Sequence, residues 1–88
     1  MCMQESYFVY ILRSYKFRTQ RYKGFTEQNI IDRLSDHNAG KCRHTAKYRP
    51  WELIFYCAFN DKYRALAFEK YLKTASGIAF TRKRLTEK

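Results

Sequence analysis

A carboxylate among apolar residues raises the first chemical question in this 88-residue chain. In the stretch ALAFEKYLK, Ala65, Phe68 and Leu72 recur at helical spacing as one stripe, and Glu69 falls beside them instead of on the solvated face. A lone carboxylate there needs compensation, because burying an unpaired charge is costly. A hard divalent cation such as Mg²⁺ would supply it, since that ion needs few protein ligands. An ion pair with Lys73, one turn on and in the favourable order, would do so equally well. An earlier helix carries a second polar set. Ile30, Ile31 and Leu34 define its apolar stripe, with Arg33 and His37 four residues apart on one flank and Asp32 and Asp36 turned to solvent. Arg33 and His37 either line a cleft beside a sheet or snorkel at the core margin. Two tyrosines complete the candidates. Tyr10 shares a strand face with Phe8 and Leu12, and Tyr22 lies next to Gly24, where a missing side chain admits a backbone or a ligand. Most of the eight tyrosines are expected in the core or stacked on the surface.

Charge narrows the partners. Eighteen Lys and Arg against eight Asp and Glu give a formal +10. A field of that sign on so small a domain suits nucleic-acid phosphate; an anionic membrane surface or a ribosomal context would also fit. The basic residues cluster. Lys41, Arg43, Lys47 and Arg49 fall in one stretch without an acid, and Arg82, Lys83 and Arg84 lie near the C-terminus. The cysteines Cys2, Cys42 and Cys57 are widely spaced with no C-x-x-C pair, so neither a zinc site nor a disulfide framework is indicated. Cys57 is expected to be a buried small hydrophobe. Reduced thiols suit a cytoplasmic protein, the N-terminus does not read as a signal peptide, and no apolar stretch reaches membrane-spanning length.

The elements that must position these residues can be read from pattern. The chain is expected to form one domain over 1–88, with its core at about 6–85. Residues 7–12 (YFVYIL) predict a central strand buried on both faces, and residues 19–25 a second strand forming a hairpin with it. Thr26 is positioned to cap a helix from about Glu27 to Asn38, with Gly40 as its stop signal. Residues 39–50 read as a basic loop and residues 51–59 as a third strand. Asn60 or Asp61 can cap a second helix to about Thr74; Gly77 then interrupts, and residues 78–85 form a short basic helix or tail. The order implies an α+β domain with a small antiparallel or mixed sheet.

Taken together, a strand with Phe8-Val9-Tyr10, then Tyr22-Lys23-Gly24, a helix with Arg33 and a later helix with Glu69 resemble the GIY-YIG nuclease superfamily. The likeness is to its small stand-alone bacterial members, related to the nuclease module of the excision-repair protein UvrC. It covers roughly residues 6 to 85 and includes YKGFTE, RLSDHNAG, KYRPWELIFY and SGIAFTRKRL. The resemblance implies a small three-stranded antiparallel sheet flanked by helices. It also implies roles: Tyr10 and Tyr22 as the motif tyrosines, one of which deprotonates or positions the attacking water; Arg33 stabilising phosphate charge; His37 contacting nucleophile or phosphate; Glu69 holding the metal. Phe8 replaces the first motif glycine, Lys23 stands where an apolar residue is usual, and one extra residue between Gly24 and Arg33 could rotate the helix start.

The expected activity is hydrolysis of DNA phosphodiester bonds with Mg²⁺ or Mn²⁺, in repair or recombination. Lys23 and the two basic clusters would grip phosphates, and branched or damaged DNA is the expected substrate, with RNA as an alternative. A tyrosine is a poor base at its ordinary pKa, so nearby positive charge from Lys23, Arg33 or the metal would be needed to lower it. The competing readings are a nucleic-acid-binding module without turnover and, more weakly, a structural protein whose charge serves ribosome or membrane contact.

Overall fold

The computed structural model describes residues 6–80. Three strands form one antiparallel sheet in the order β2-β1-β3, with β1 (Tyr7–Ser14), β2 (Arg21–Thr26) and β3 (Trp51–Phe59). The apolar run of β1 earns its central place: Val9, Tyr10, Ile11 and Leu12 are all buried. Because side chains alternate along a strand, β1 feeds two cores. Val9 and Ile11 pack with Ala65 and Leu72 on one side of the sheet; Tyr10 and Leu12 pack with Ile30 and Trp51 on the other. Among the described residues there are four helices, α1 (Ile30–Asn38), α2 (Arg43–Ala46), α3 (Lys62–Leu72) and α4 (Ala75–Phe80). The expected three-stranded antiparallel α+β architecture is therefore what forms.

Several local expectations are corrected. The first helix starts at Ile30, because Asn29 is the N-cap and its Oδ1 accepts from the Ile31 and Asp32 amides. The Thr26 hydroxyl accepts from the Gln28 amide instead, making a turn before the helix. Ile31 does not belong to the apolar stripe, being 62% exposed. The core-facing row is Ile30, Leu34 and His37, at i, i+4 and i+7, with Leu34 half-buried and the other two buried. The end comes where Gly40 predicts it. Gly40 has φ +81°, its amide reaches the His37 carbonyl, and the Lys41 amide reaches the Asp36 carbonyl in a Schellman-type closure.

The expected basic loop holds a short helix, α2. Gly77 lies inside α4 instead of interrupting it: a Cβ there would strike the Tyr71 backbone, so glycine lets α4 close onto the end of α3. Asp61 caps α3 as expected, its side chain accepting from the Tyr63 amide. Cys57 is half-buried and, with Cys42, is a free thiol.

Candidate active site

Gly24 opens the site. It sits opposite Tyr10 in the β1–β2 ladder, and a Cβ there would come within 2.5 Å of Tyr10 Oη and 2.8 Å of the Tyr22 ring. Without that Cβ the Tyr10 ring leans over β2 and its hydroxyl meets α1. His37 Nε2 lies 2.9 Å from Tyr10 Oη, and Arg33 Nε donates to the same oxygen at 3.2 Å. Tyr22 closes the group, its ring centroid 5.1 Å from that of His37 and 6.2 Å from that of Tyr10.

The hydrogen-bond chain assigns the protons. Thr45 Oγ1, from α2, reaches the Cys42 carbonyl at 3.4 Å and spends its proton there. It therefore accepts at 2.8 Å from His37 Nδ1–H, which leaves Nε2 bare to accept from the Tyr10 hydroxyl. The opposite tautomer would leave the Tyr10 proton without a described acceptor.

Burial supports the neutral ring. His37 is fully buried, and desolvation, followed by the nearby Arg33 charge, pulls its pKa down to about 4. Tyr10 is also perturbed, but upward: burial outweighs the lowering effect of the Arg33 hydrogen bond and charge. Positive charge does not make Tyr10 a ready tyrosinate here. Arg33 is held more firmly protonated, first by its bond to Tyr10. Its terminal guanidinium nitrogens make no hydrogen bond among the described residues.

Four of the residues singled out from the sequence, Tyr10, Tyr22, Arg33 and His37, thus converge on one side of the sheet. Glu69 does not join them. It lies on α3 beside Ala65 and Leu72, which pack against the Val9–Ile11 side, and its carboxylate is 2.7 Å from Lys73 Nζ. Lys23 pairs with Ile11 and so shares that same side. No group of three or more His, Cys, Asp or Glu stands ready for a metal among the described residues. One half-buried carboxylate still fits a Mg²⁺ that keeps mostly water ligands, once Lys73 swings aside.

The basic residues of 41–49 are exposed, on and around α2, close to Tyr22 and His37. Lys41 pairs with Asp36 at 3.4 Å, Lys47 Nζ lies 5.5 Å from the centroid of the Tyr48 ring, and Arg49 packs over Gly40. Arg82, Lys83 and Arg84 lie outside the described residues. Sequence reasoning missed Thr45 and Trp51, which anchor α2 to the site. Trp51 Nε1 donates to the Thr45 carbonyl, and Asn38 holds the Trp51 backbone through both its amide atoms.

A three-stranded antiparallel sheet that holds a Tyr–His–Arg centre between β1 and α1 makes this a small α+β domain. The family model described as the GIY-YIG catalytic domain matches residues 6–83, and the chain belongs to that family. It is 42% identical over 53 residues to a "UPF0213 protein" of Lacticaseibacillus paracasei, covering 59% of this chain and 58% of the relative. It is 44% identical over 64 residues to a protein of the same designation in Lactiplantibacillus plantarum, covering 66% of this chain and 59% of the relative. The chain thus spans less than two thirds of the length of these relatives. No helix among the described residues is long and apolar enough to cross a membrane.

Proposed function

We propose that this chain is a divalent-metal-dependent DNA endonuclease acting on branched or damaged DNA in repair or recombination. The carrying observation is the Tyr10 hydroxyl held between Arg33 Nε and a neutral His37 Nε2. A water attacks phosphorus, and its proton passes to Tyr10 Oη while the Tyr10 proton passes to His37 Nε2. The new P–O bond forms, the bond to the leaving oxygen breaks, and that oxygen takes a proton from solvent. Tyr10 is then a shuttle that never has to ionise alone, which suits its raised pKa. Arg33 offsets charge developing on the phosphate. A substrate phosphate beside the site would also raise the His37 pKa, making it a better acceptor when the substrate is present.

Glu69 would hold the Mg²⁺ or Mn²⁺, which when bound neutralises phosphate charge and eases departure of the leaving oxygen. Lys41, Arg43, Lys47 and Arg49, with Lys23 and the segment bearing Arg82, Lys83 and Arg84, would hold flanking phosphates. A second reading has a specific basis. The Glu69–Lys73 ion pair, on the helix packed against the other side of the sheet, suits a nucleic-acid-binding module without turnover. Incubation with nicked, flapped, single-stranded and supercoiled DNA in Mg²⁺ or Mn²⁺, beside Glu69→Ala, separates the two. Cleavage by the wild type that the variant loses supports the endonuclease; equal cleavage rejects the metal role of Glu69; salt-sensitive binding without cleavage supports the binding module.

A further inference from the structure

Beside the Tyr10 centre is a cavity of about 210 Å³ that the proton chain does not use. Its lining includes Tyr22, His44, Tyr48 and Trp51, with Gln20 and Lys47 among its polar members. It is smaller than the roughly 300–1,000 Å³ of drug-sized ligand pockets, and closer to what one flat ring needs. The aromatic rings are mutually arranged. Tyr22 stands 6.2 Å from His44 and 6.5 Å from Trp51, and Tyr48 meets Trp51 edge-on at 6.3 Å. Trp51 is almost fully buried and forms the closed back of the cavity, and with its Nε1 bonded to the Thr45 carbonyl it leaves no unsatisfied donor there. Gln20 supplies an exposed amide able to donate and accept, and no lining residue is acidic.

The cavity shares two residues with the Tyr10 centre. Tyr22 is a wall of both, and Thr45 lines the cavity while its hydroxyl bonds His37. Whatever enters is therefore close to the Tyr10–His37 pair. Aromatic faces with a positively charged edge suit a nucleobase attached to its phosphate, because every base has a stacking face and its backbone is anionic. A paired and stacked base cannot enter such a recess.

We propose that this cavity receives one unpaired nucleobase of the DNA strand, from the nucleotide adjoining the scissile phosphate. The proposal rests on the nuclease reading for the position of that phosphate, and adds a preference for single-stranded or frayed DNA. His44 and Tyr22 contact the base, Lys47 the neighbouring phosphate.

The test compares oligothymidylate with an abasic oligomer of the same length, each end-labelled, in metal-free buffer. Anisotropy gives affinity, and fluorescence of Trp51, the single tryptophan, reports occupancy of the cavity. The base-bearing oligomer is expected to bind roughly tenfold more tightly and to perturb Trp51, as expected for one stacked base. His44→Ala, at an exposed position, should remove most of that difference, whereas Lys47→Ala should weaken both oligomers alike. Equal affinities, a preference that His44→Ala leaves intact, or binding of neither oligomer would overturn the proposal. Adding Mn²⁺ separates this from the parent reading. Base-dependent binding without cutting supports the cavity and rejects the nuclease; cutting with equal affinity for the abasic oligomer does the reverse.

Discussion

At the scale of single residues, the account depends on three atoms sharing one proton system: Arg33 Nε, Tyr10 Oη and His37 Nε2. Tyr10→Phe keeps the ring and removes the shuttle, leaving His37 Nε2 without its donor. It should cost about 1–3 kcal/mol of stability, read from urea unfolding. His37 makes a prediction with a definite sign. Its folded pKa, about 4, lies below the ordinary value of 6.5, so between these values the unfolded chain binds more protons than the folded one. Stability from this residue is full above pH 6.5 and is lost as pH falls toward 4, by at most about 3 kcal/mol. His37→Gln should flatten that part of the pH–stability curve; an unchanged slope would show that another group causes it. Tyr10, Arg33 and His37 were legible as candidates from residue type and spacing. The depth of His37 was not, because a polar side chain does not register in a hydrophobic pattern, although i+7 from Ile30 was a usable signal. Thr45 gave none, lying in a basic stretch with no periodicity.

At the scale of elements, β1 was the most legible piece, since a continuous apolar run has only the sheet centre to occupy. The start of α1 was not, because Thr26 and Asn29 are both good caps and only tertiary structure chooses between them. Whichever residue caps the helix, Arg33 in its first turn reaches Tyr10. Two positions fix how elements meet. Asn38 bridges α1 to β3 by accepting from the Trp51 amide at 2.6 Å and donating to the Trp51 carbonyl at 3.2 Å. Asn38→Ala should destabilise the fold by about 1–3 kcal/mol in thermal or urea unfolding. Gly24→Ala should be worse for the site than for the fold. The added methyl displaces Tyr10, so any cleavage should fall at least tenfold while the sheet persists by circular dichroism.

At the scale of the whole molecule, the sheet separates two chemistries. The side facing α1 carries the Tyr10 centre and borders the basic α2 region; the side facing α3 carries Lys23 and the Glu69 ion pair. Charge composition points to a phosphate partner without structure. It could not divide the charges between sides, because that depends on strand register and helix packing. If α2 is the phosphate-facing surface, Arg43→Ala and Lys47→Ala should each lower the slope of log affinity against log salt by about one. Unchanged slopes would move the contact surface elsewhere.

The most direct test is single-turnover cleavage of a nicked or flapped DNA in Mn²⁺ by the wild type and by Tyr10→Phe, at protein concentrations that saturate both. The account predicts a cleaving wild type and a rate at least about a hundredfold lower for the variant, at unchanged DNA affinity. Equal rates in the two proteins would contradict a proton path through Tyr10, and with it the mechanism argued from this centre.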